Sequence, residues 1–378
     1  MPRLTRSSIR SRLVRDDRGA VALMVGILLS TGVLLGMGAL AVDVGRLYAE
    51  REELQSGADA GASKVALNCA FNRLSCSAAG ALTASGGYAN RNAKDGASGV
   101  AQACGYDGKG RLPSCAGDSA GALAQCIGSA PSGRYVEVRT RTRTSDGGTL
   151  LPPTFARMLV PGDTGTMVGA CARVTWGPPT IAGGLAITFS ACEWGLATGG
   201  GTSYPSEPVT AAAEVILKTH TTTGVAGCPA GPSGFDAPGG FGVLDGAKSG
   251  CVAGISTGGI YNSDPGASVG DCEALLASAW ASRQPLGIPI YDTVRRCTGS
   301  TPGCTSGYAQ YHLKTMAAFV VTGYQFPSAK QKSWLTGKSC ATKGSDNCIS
   351  GYFVNAAISG DIDPSAEIAG AVAVRTVG

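Results

Sequence analysis

The sequence predicts an α+β protein with a long N-terminal helix, a small mixed part and a β-rich C-terminal domain linked by disulfides. Three observations favour this fold class. Residues 19–42 carry no charged side chain, and a helical pattern continues after them as far as Leu67. Beyond residue 133, short runs of branched and aromatic residues alternate with Gly- and Pro-rich turns. Such runs are typical of strands rather than of a helical bundle.

The first element, residues 19–42, has the length and composition of a transmembrane helix. At about 1.5 Å of rise per residue, it covers roughly the ~30 Å hydrocarbon core of a bilayer. Residues 1–18 hold six arginines and two aspartates, a net +4 of the chain's +5. Basic residues beside a span stay in the cytoplasm, so we expect a cytoplasmic flank and an extracytoplasmic body. The body is nearly neutral, which argues against nucleic acid as a partner. The expected partner of the apolar run is the lipid of the cytoplasmic membrane.

Two features of this run leave alternatives open. Ala39-Leu40-Ala41 has the small-x-small form of a signal-peptide cleavage site, although signal peptides usually have apolar runs of about 7–15 residues. We therefore expect a retained anchor, with cleavage as the alternative. Gly32 and Gly36 form a GxxxG pattern that permits close pairing of membrane helices, but glycine is also common in such helices without a pairing role.

The second element is an amphipathic stalk helix over residues 43–67, which would continue the membrane span as one long helix. A narrow stripe of mostly small side chains follows the helical period, and charged residues such as Arg51 and Glu52 lie outside it. Small side chains allow close approach, so we expect this stripe to pack against partner helices. The candidate membrane and helix-packing residues are Gly32, Gly36, Asp43, Leu47, Leu54, Ala58, Ala62 and Val65.

All fourteen cysteines lie after the apolar run, and an even number outside the cytoplasm predicts a disulfide framework. No CxxC occurs, and His220 and His312 are the only histidines, so the sequence predicts no metal site and no cofactor. Spacing alone does not give the connectivity. The disulfide candidates are Cys69, Cys76, Cys104, Cys115, Cys126, Cys171, Cys192, Cys228, Cys251, Cys272, Cys297, Cys304, Cys340 and Cys348.

Residues 68–133 are rich in Gly, Ala, Ser and Cys and show little periodicity, which predicts a loop-rich insertion. Residues 134–179 predict a strand, a short proline-started helix and a second strand. Arg139, Arg141 and Arg143 share one face of the first strand. We expect that face to be solvated, with a polyanion site as the alternative.

Residues 180–378 predict a β-rich extracytoplasmic domain, a sandwich or barrel, built from short strands such as LAITFSACEW at 185–194. EALLASAW, residues 273–280, is the one predicted helix of this domain. The C-terminal run, residues 369–377, is expected to pair within the sheet of the same domain.

The N-terminal segment carries a set of residues that points to a family. They are the basic flank, Arg18-Gly19-Ala20, the apolar run, and then Asp43, Gly45, Arg46, Tyr48, Leu54, Gln55, Ala58, Asp59 and Ala60. This segment resembles the start of the TadE/TadG-like proteins of Tad (Flp-type) pilus assembly. Residues 134–179 resemble the second half of pilin-like domains, and residues 187–353 are similar to the cysteine-bearing extension of actinobacterial TadG-like proteins. The resemblance implies a membrane-anchored, non-enzymatic component whose partners are pilins or pseudopilins and the inner-membrane platform.

Two departures from the family's other members narrow this expectation. Met24 stands at the fifth position after Gly19, where pilins cut by a prepilin peptidase have glutamate, and no DxSxS metal motif is present. An accessory or minor component is therefore expected, rather than a major pilin or a metal-dependent adhesin. The alternative from another class is an anchored or secreted adhesin, whose cell-surface ligand the sequence does not identify.

A hydrolase is the second alternative, because residues 254–258 read GISTG, a GxSxG match, and His312 follows. A nucleophile elbow needs a helix directly after its serine, and a turn follows here, so the sequence disfavours this alternative. Asp361 and Asp363 supply too few oxygen donors to predict a calcium site. No Walker A loop is present, so the motor of a pilus would be another protein.

Overall fold

The computed structural model describes residues 17–30, 32–115, 126–159, 162, 164–218, 227–228, 241–245, 251–263, 272–298, 300, 302–306, 308–343, 347–364 and 366–378. The helices of these residues are α1 (Asp17–Ser30), α2 (Val33–Ala70), α3 (Ala78–Asn92), α4 (Ala156–Leu159), α5 (Ala191–Thr198) and α6 (Glu273–Ser282). Their strands are β1 (Ser98–Tyr106), β2 (Tyr135–Thr142), β3 (Gly169–Gly177), β4 (Pro179–Leu185), β5 (Ile187–Ser190), β6 (Val215–Lys218), β7 (Phe241–Val243), β8 (Val252–Ile255), β9 (Ile260–Asn262), β10 (Leu286–Arg296), β11 (Ala309–Gln325), β12 (Lys330–Gln331), β13 (Cys348–Val354), β14 (Ala356–Ala357), β15 (Asp361–Ile362) and β16 (Ala371–Thr376).

The N-terminal apolar run is divided between α1 and α2. Gly32 adopts the left-handed conformation, φ 73°, and its N–H donates to the Leu29 carbonyl at 3.1 Å. Glycine takes this conformation without strain, so it ends one helix and precedes the next. Among the described residues, no helix is both long and apolar enough to cross a membrane. The structure therefore does not support one transmembrane helix over 19–42; of the predicted basic flank, all but its last two residues lie outside the described ranges.

The predicted stalk helix is present as the second part of α2, and it belongs to the first domain. Together with α3 it packs on one face of a five-stranded sheet, ordered β1-β2-β3-β16-β14. Val136 and Val138 of β2 and Val174 of β3 are fully buried in this layer. Every second side chain of β2 and β3 thus faces the helices, as the two-residue period of a strand predicts. The predicted order of strand, short helix and strand is confirmed as β2, α4 and β3.

The prediction of a loop-rich insertion over residues 68–133 is wrong, because α3 and the edge strand β1 lie there. Ser77 is the N-cap of α3, and its Oγ accepts from the Gly80 N–H at 3.2 Å. The helix is made of small residues because its backbone lies against α2: a Cβ on Gly57 would come within 2.9 Å of the Ala89 Cα. Such close packing leaves no room for the large apolar side chains whose spacing reveals a helix.

The C-terminal strand lies in the first sheet, which corrects the prediction that it pairs within the second domain. β16 runs antiparallel to β3, with Val374 opposite Trp176. The strands from β4 to β13 therefore form a domain inserted between β3 and β16, two neighbours in one sheet. Chain entry and exit at the same sheet fix the inserted domain at both ends.

The second domain is the predicted β-rich part. Its main sheet has the order β6-β13-β11-β10-β5-β7, and β9 and β12 also pair with the long strand β11. Phe319 of β11 meets Phe189 and Phe353 edge to face, at ring-centroid distances of 5.1 and 4.9 Å. The predicted helix is confirmed as α6. The predicted strand 185–194 is wrong in its second half, because Ser190 caps α5, its Oγ accepting from the Cys192 N–H at 3.2 Å.

All fourteen cysteines form disulfides, which confirms the predicted framework and supplies its connectivity. Three bridges lie in the first domain: Cys69–Cys76, Cys104–Cys115 and Cys126–Cys171. Four lie in the inserted domain: Cys192–Cys228, Cys251–Cys272, Cys297–Cys304 and Cys340–Cys348. Each domain is cross-linked within itself, and no disulfide joins the two.

Candidate functional site

The candidate site is the junction between the apolar run and the body, residues 43–378. Asp43, the first charged residue after the run, accepts hydrogen bonds from the turn that begins α4. Its Oδ1 accepts from the Thr154 N–H at 2.8 Å, and its Oδ2 accepts from the N–H groups of Phe155 at 3.0 Å and Ala156 at 2.6 Å. These are the donors that a helix start leaves unpaired, so the Asp43 carboxylate caps α4 from the neighbouring helix.

Two prolines come directly before these three donors in the turn. Pro152 and Pro153 have no N–H, so Thr154 is the first residue after them that donates a backbone hydrogen bond. Arg46 lies three residues after Asp43, on the same face of α2. Its guanidinium donates to the Pro152 carbonyl at 3.4 Å and to the Thr154 hydroxyl. Asp43 and Arg46 carry opposite charges and lie about one helical turn apart on α2. The carboxylate thus binds the N–H groups, and the guanidinium binds the carbonyl, of the same loop before α4.

The carboxylate of Asp43 is charged in the contact that forms this junction. Burial raises the pKa of Asp43, whereas the hydrogen bonds from Ala156, Thr154 and Phe155 lower it by more. The pKa therefore lies below the ordinary value for aspartate, because hydrogen bonds to the charged form favour that form. At neutral pH the body is held to the end of the apolar run by charge-assisted hydrogen bonds.

Further along the same helix, α2 is fixed to β2 and β3. Leu54 is 2% exposed, and Leu47 packs half-buried beside it. The Leu54 carbonyl accepts from the Thr140 hydroxyl at 2.9 Å, and the Gln55 amide donates to the Cys171 carbonyl at 3.0 Å. Two neighbouring residues of α2 therefore each make one hydrogen bond to the sheet across an apolar contact.

The predicted small-residue stripe is occupied within this chain. Ala58, Ala62 and Val65 are each 0% exposed, and the first sheet and α3 cover them. A Cβ added to Gly61 would lie 3.1 Å from the Ser85 Cα, so the two helices touch through their backbones. Contact with a partner helix through this stripe stays a prediction, and it would require the first domain to open.

The apolar run has the opposite environment. A Cβ added to Gly32 or Gly36 would meet no atom within 4 Å, so no described part of the chain packs against the GxxxG pattern. Pairing of two chains through it stays a prediction. Large apolar side chains along the run are exposed: Val21, Leu23, Met24, Val25, Ile27, Leu28, Leu29, Val33, Met37, Leu40 and Val42.

The face of the first sheet that points away from the helices carries a buried cluster of charged side chains, which the sequence did not predict. Glu137 is 2% exposed and receives two guanidinium groups: Arg139 Nε at 2.7 Å from its Oε1, and Arg173 Nη2 at 2.7 Å from its Oε2. Arg173 also donates to the carbonyls of residues 127–129, at 3.1 to 3.3 Å. The cluster thus fixes the segment after Cys126 over the sheet.

The predicted solvated face is therefore wrong for Arg139 and correct for Arg141 and Arg143, which are exposed. The sequence did contain a signal for this ion pair, because Glu137 lies two residues before Arg139 and therefore on the same face of the strand. The disulfides Cys104–Cys115 and Cys126–Cys171 have sulfurs near the Glu137 carboxylate. Sulfurs paired in disulfides are not thiolate ligands, so this cluster is an ion-pair and cross-link site.

The GxSxG segment runs from the end of β8 into the turn before β9, a strand of another sheet, so no helix follows its serine. Ser256 Oγ lies 3.0 Å from the Tyr261 hydroxyl, while His312 Nδ1 lies 2.7 Å from Asp292 Oδ1. Ile260 is the residue opposite His312, and alternation along β9 points Tyr261 to the other face. The hydrogen-bond partner of Ser256 therefore lies on the sheet face opposite to His312, and the structure gives no support to a catalytic triad here.

Comparison with known proteins identifies the segment that contains the junction. Residues 19–66 match the Tad family model, described as Flp pilus-assembly TadE/G-like. The match spans most of α1 and α2, and it includes Asp43, Arg46 and the buried stripe. No curated protein and no solved structure matches the chain.

Proposed function

We propose, on the premise that residues 19–66 are a TadE/TadG-like segment of Flp pilus assembly, that the protein is a membrane-anchored accessory component of such a system. A part in pilus assembly follows from the family. The finer proposal is a minor, pseudopilin-like role. In it the chain acts through contacts with pilins, pseudopilins and the inner-membrane platform, without catalysing a reaction.

Membrane attachment through residues 19–42 is supported by the exposure of their large apolar side chains, which are from 40 to 67% exposed among the described residues. Side chains such as Leu23, Met37 and Leu40 are more than half exposed, and burying each one in lipid is favourable. We propose that the run enters the cytoplasmic membrane as two helical segments joined at Gly32. The arginines before it favour an N-terminus inside and a body outside.

The seven disulfides support an extracytoplasmic body. Disulfides persist in oxidising compartments and are rare in the cytosol, so a body with every cysteine paired fits the outer side of the membrane. This placement agrees with the orientation inferred from the basic flank.

The observation that carries the proposal is the capping of α4 by Asp43, supported by Arg46. These contacts lie in the first turn after the apolar run, so the body is held at a fixed orientation to the proposed anchor. A component that must present its body to partners at a defined height above the membrane requires such a joint. We infer that the joint sets that height.

The test is deletion and complementation in the native host. Deletion should abolish pili seen by electron microscopy, and the full chain should restore them. A chain in which a cleavable signal peptide replaces residues 1–42 should be exported and folded but should not restore pili. Normal piliation of the deletion strain would contradict a role in assembly, and full rescue by the unanchored body would contradict the anchor.

Localisation is tested in the same strains. The full chain should stay in membranes washed with alkaline carbonate, and protease added to spheroplasts should digest its body. Recovery from the medium of a chain that begins near Val42 would instead identify a secreted protein.

A further inference from the structure

A groove lies between the two domains, away from the junction at Asp43. Its deeper end is a cavity of about 440 Å³, lined by Arg134 and Arg111 from the first domain, by Tyr204 from the inserted domain, and by Asn355, which joins β13 to β14. A second cavity of about 510 Å³ shares Tyr204 and Asn355 and continues the groove. The two cavities together form an extended site to which both domains contribute.

Two buried donors in the deeper cavity lack an acceptor. Arg134 Nη1 and the Tyr204 hydroxyl are both shielded from solvent, and neither has an acceptor for its hydrogen among the described residues. The Trp194 side chain interacts with the Tyr204 hydroxyl, but an indole N–H only donates, so the hydroxyl proton stays without an acceptor. Burial raises the pKa of Tyr204 to about 12, so its hydroxyl keeps its proton at physiological pH and is able to donate. A buried donor without an acceptor is unfavourable, so these atoms mark the place where an acceptor binds.

The charges around the groove favour an anionic acceptor. Five cations line the two cavities, against three carboxylates; the cations are Arg73, Lys109, Arg111, Arg134 and Arg283, and the carboxylates are Asp107, Glu207 and Glu367. Asp107 is already occupied, because it accepts from Arg111 Nε at 2.5 Å and from the Lys109 N–H at 3.1 Å. The Glu367 side chain is 83% exposed and lies 3.8 Å from Lys314 Nζ. Among the described residues, Arg134 therefore has no carboxylate partner.

The shape of the groove indicates which kind of anion it takes. The deeper cavity's tryptophan, Trp176, is only 2% exposed, so it offers no open face on which a sugar ring could stack. The groove instead continues past Tyr204 to Arg73 and Arg283, so cations occur at both ends of it. Repeated cations along an extended groove match a polypeptide that carries several carboxylates.

We propose that the interdomain groove binds an extended acidic segment of a partner protein, and that one carboxylate of the segment is held by Arg134 and Tyr204. Guanidinium and carboxylate match in planar geometry, and the tyrosine hydroxyl donates a further hydrogen bond to the same group. The proposal does not depend on a role in pilus assembly, because it follows from the groove alone.

The experiment measures binding of a capped Glu-Ala repeat peptide to the full chain in detergent by isothermal titration calorimetry. The matched Gln-Ala peptide is the neutral control. The Glu peptide should bind, more weakly as salt is raised, and the Gln peptide should not. Arg134→Gln should weaken binding about tenfold or more, and Tyr204→Phe should weaken it by a smaller factor, about threefold. Arg141→Gln, at an exposed arginine of β2, the strand that begins directly after Arg134, should have no effect.

Three results would overturn the proposal. They are equal binding of the two peptides, no binding of the Glu peptide to the unaltered chain, and unchanged affinity in both Arg134→Gln and Tyr204→Phe. Free glucuronate is titrated in parallel; if it binds at least as tightly as the Glu peptide, the ligand is a sugar acid and the assignment to a polypeptide is wrong. Circular dichroism and thermal unfolding of each variant identify any loss of affinity that comes from loss of fold.

Discussion

The two halves of the family-matched segment have opposite surroundings, although both are helical. Before Asp43, large apolar side chains such as Met24 and Met37 are exposed, and the described chain offers them no cover. After Asp43, Ala58, Ala62 and other small side chains are buried against the chain's own sheet. Residue size alone would suggest the reverse, because the larger apolar residues would bury more area on folding.

Asp43 is therefore the boundary between an exposed apolar part and a buried structural part of one helical segment. The first half keeps its apolar surface for an environment outside the chain, and we propose that this environment is lipid. The second half is structural, and its small residues serve the packing of the first domain. The predictions below test the boundary from either side.

The largest effect is expected from enlarging a buried residue after the boundary. Ala62→Phe places a ring where no space exists, and overpacking of this kind should lower the free energy of unfolding by about 3 kcal/mol. Ala41→Phe, in the exposed part of the same helix, is the matched control and should leave it unchanged. Urea unfolding followed by tryptophan fluorescence measures both. A stable Ala62→Phe variant would show that the stripe is not packed within the chain.

A charge placed before the boundary should affect membrane binding and leave the body intact. Val25→Arg should weaken transfer into the bilayer by about 2.5 kcal/mol, because a cation is costly within the hydrocarbon. Partition into lipid vesicles measures the loss, and the urea midpoint of the body should stay the same. Unchanged partition would contradict the proposal that this half lies in lipid.

Removing the charge at the boundary should loosen only the joint. Asp43→Asn leaves the first turn of α4 with a weaker cap, so amide exchange of Thr154, Phe155 and Ala156 should become roughly tenfold faster. Asp146→Asn, at an exposed aspartate, is the control. Hydrogen exchange is measured by mass spectrometry or NMR. Equal protection of these amides in Asp43→Asn and in the unaltered chain would show that the Asp43 carboxylate does not hold the start of α4.

The smallest effect is a pH dependence of the same joint. The pKa of Asp43 is lowered in the folded protein, so its contribution is complete above the unfolded pKa of about 3.9 and is lost as pH falls through the lower folded value. The ratio of exchange rates between Asp43→Asn and the unaltered chain should therefore approach one in acid. A ratio that stays constant over this range would show that the carboxylate's charge does not hold the joint.

The sequence predicted the elements whose patterns are strong. The alternation in β2, the stalk part of α2 and the helix α6 were all visible in their spacing, and an even cysteine count indicated the disulfides. Asp43 was a candidate residue because it is the first charge after the apolar run. Its partners were not predictable, because nothing in a periodic pattern tells that a turn more than a hundred residues later presents its free N–H groups there.

The failures have physical causes of the same kind. The buried face of α3 has only small side chains because its backbone touches α2 at Gly57 and Gly61, so its pattern is weak. β16 was assigned to the wrong sheet because alternation gives a strand's faces and not its neighbour. Arg139 was expected in solvent because the same alternation does not show that a second layer, fixed by Arg173, covers that face.

The most direct test of the boundary at Asp43 is photolabelling of the full chain in vesicles with a carbene-generating phospholipid, followed by mass spectrometric mapping of the labelled residues. The account predicts labels within residues 19–42 and a sharp decline at Asp43, with the body unlabelled. An unlabelled apolar run, or labels spread equally over the body, would contradict it.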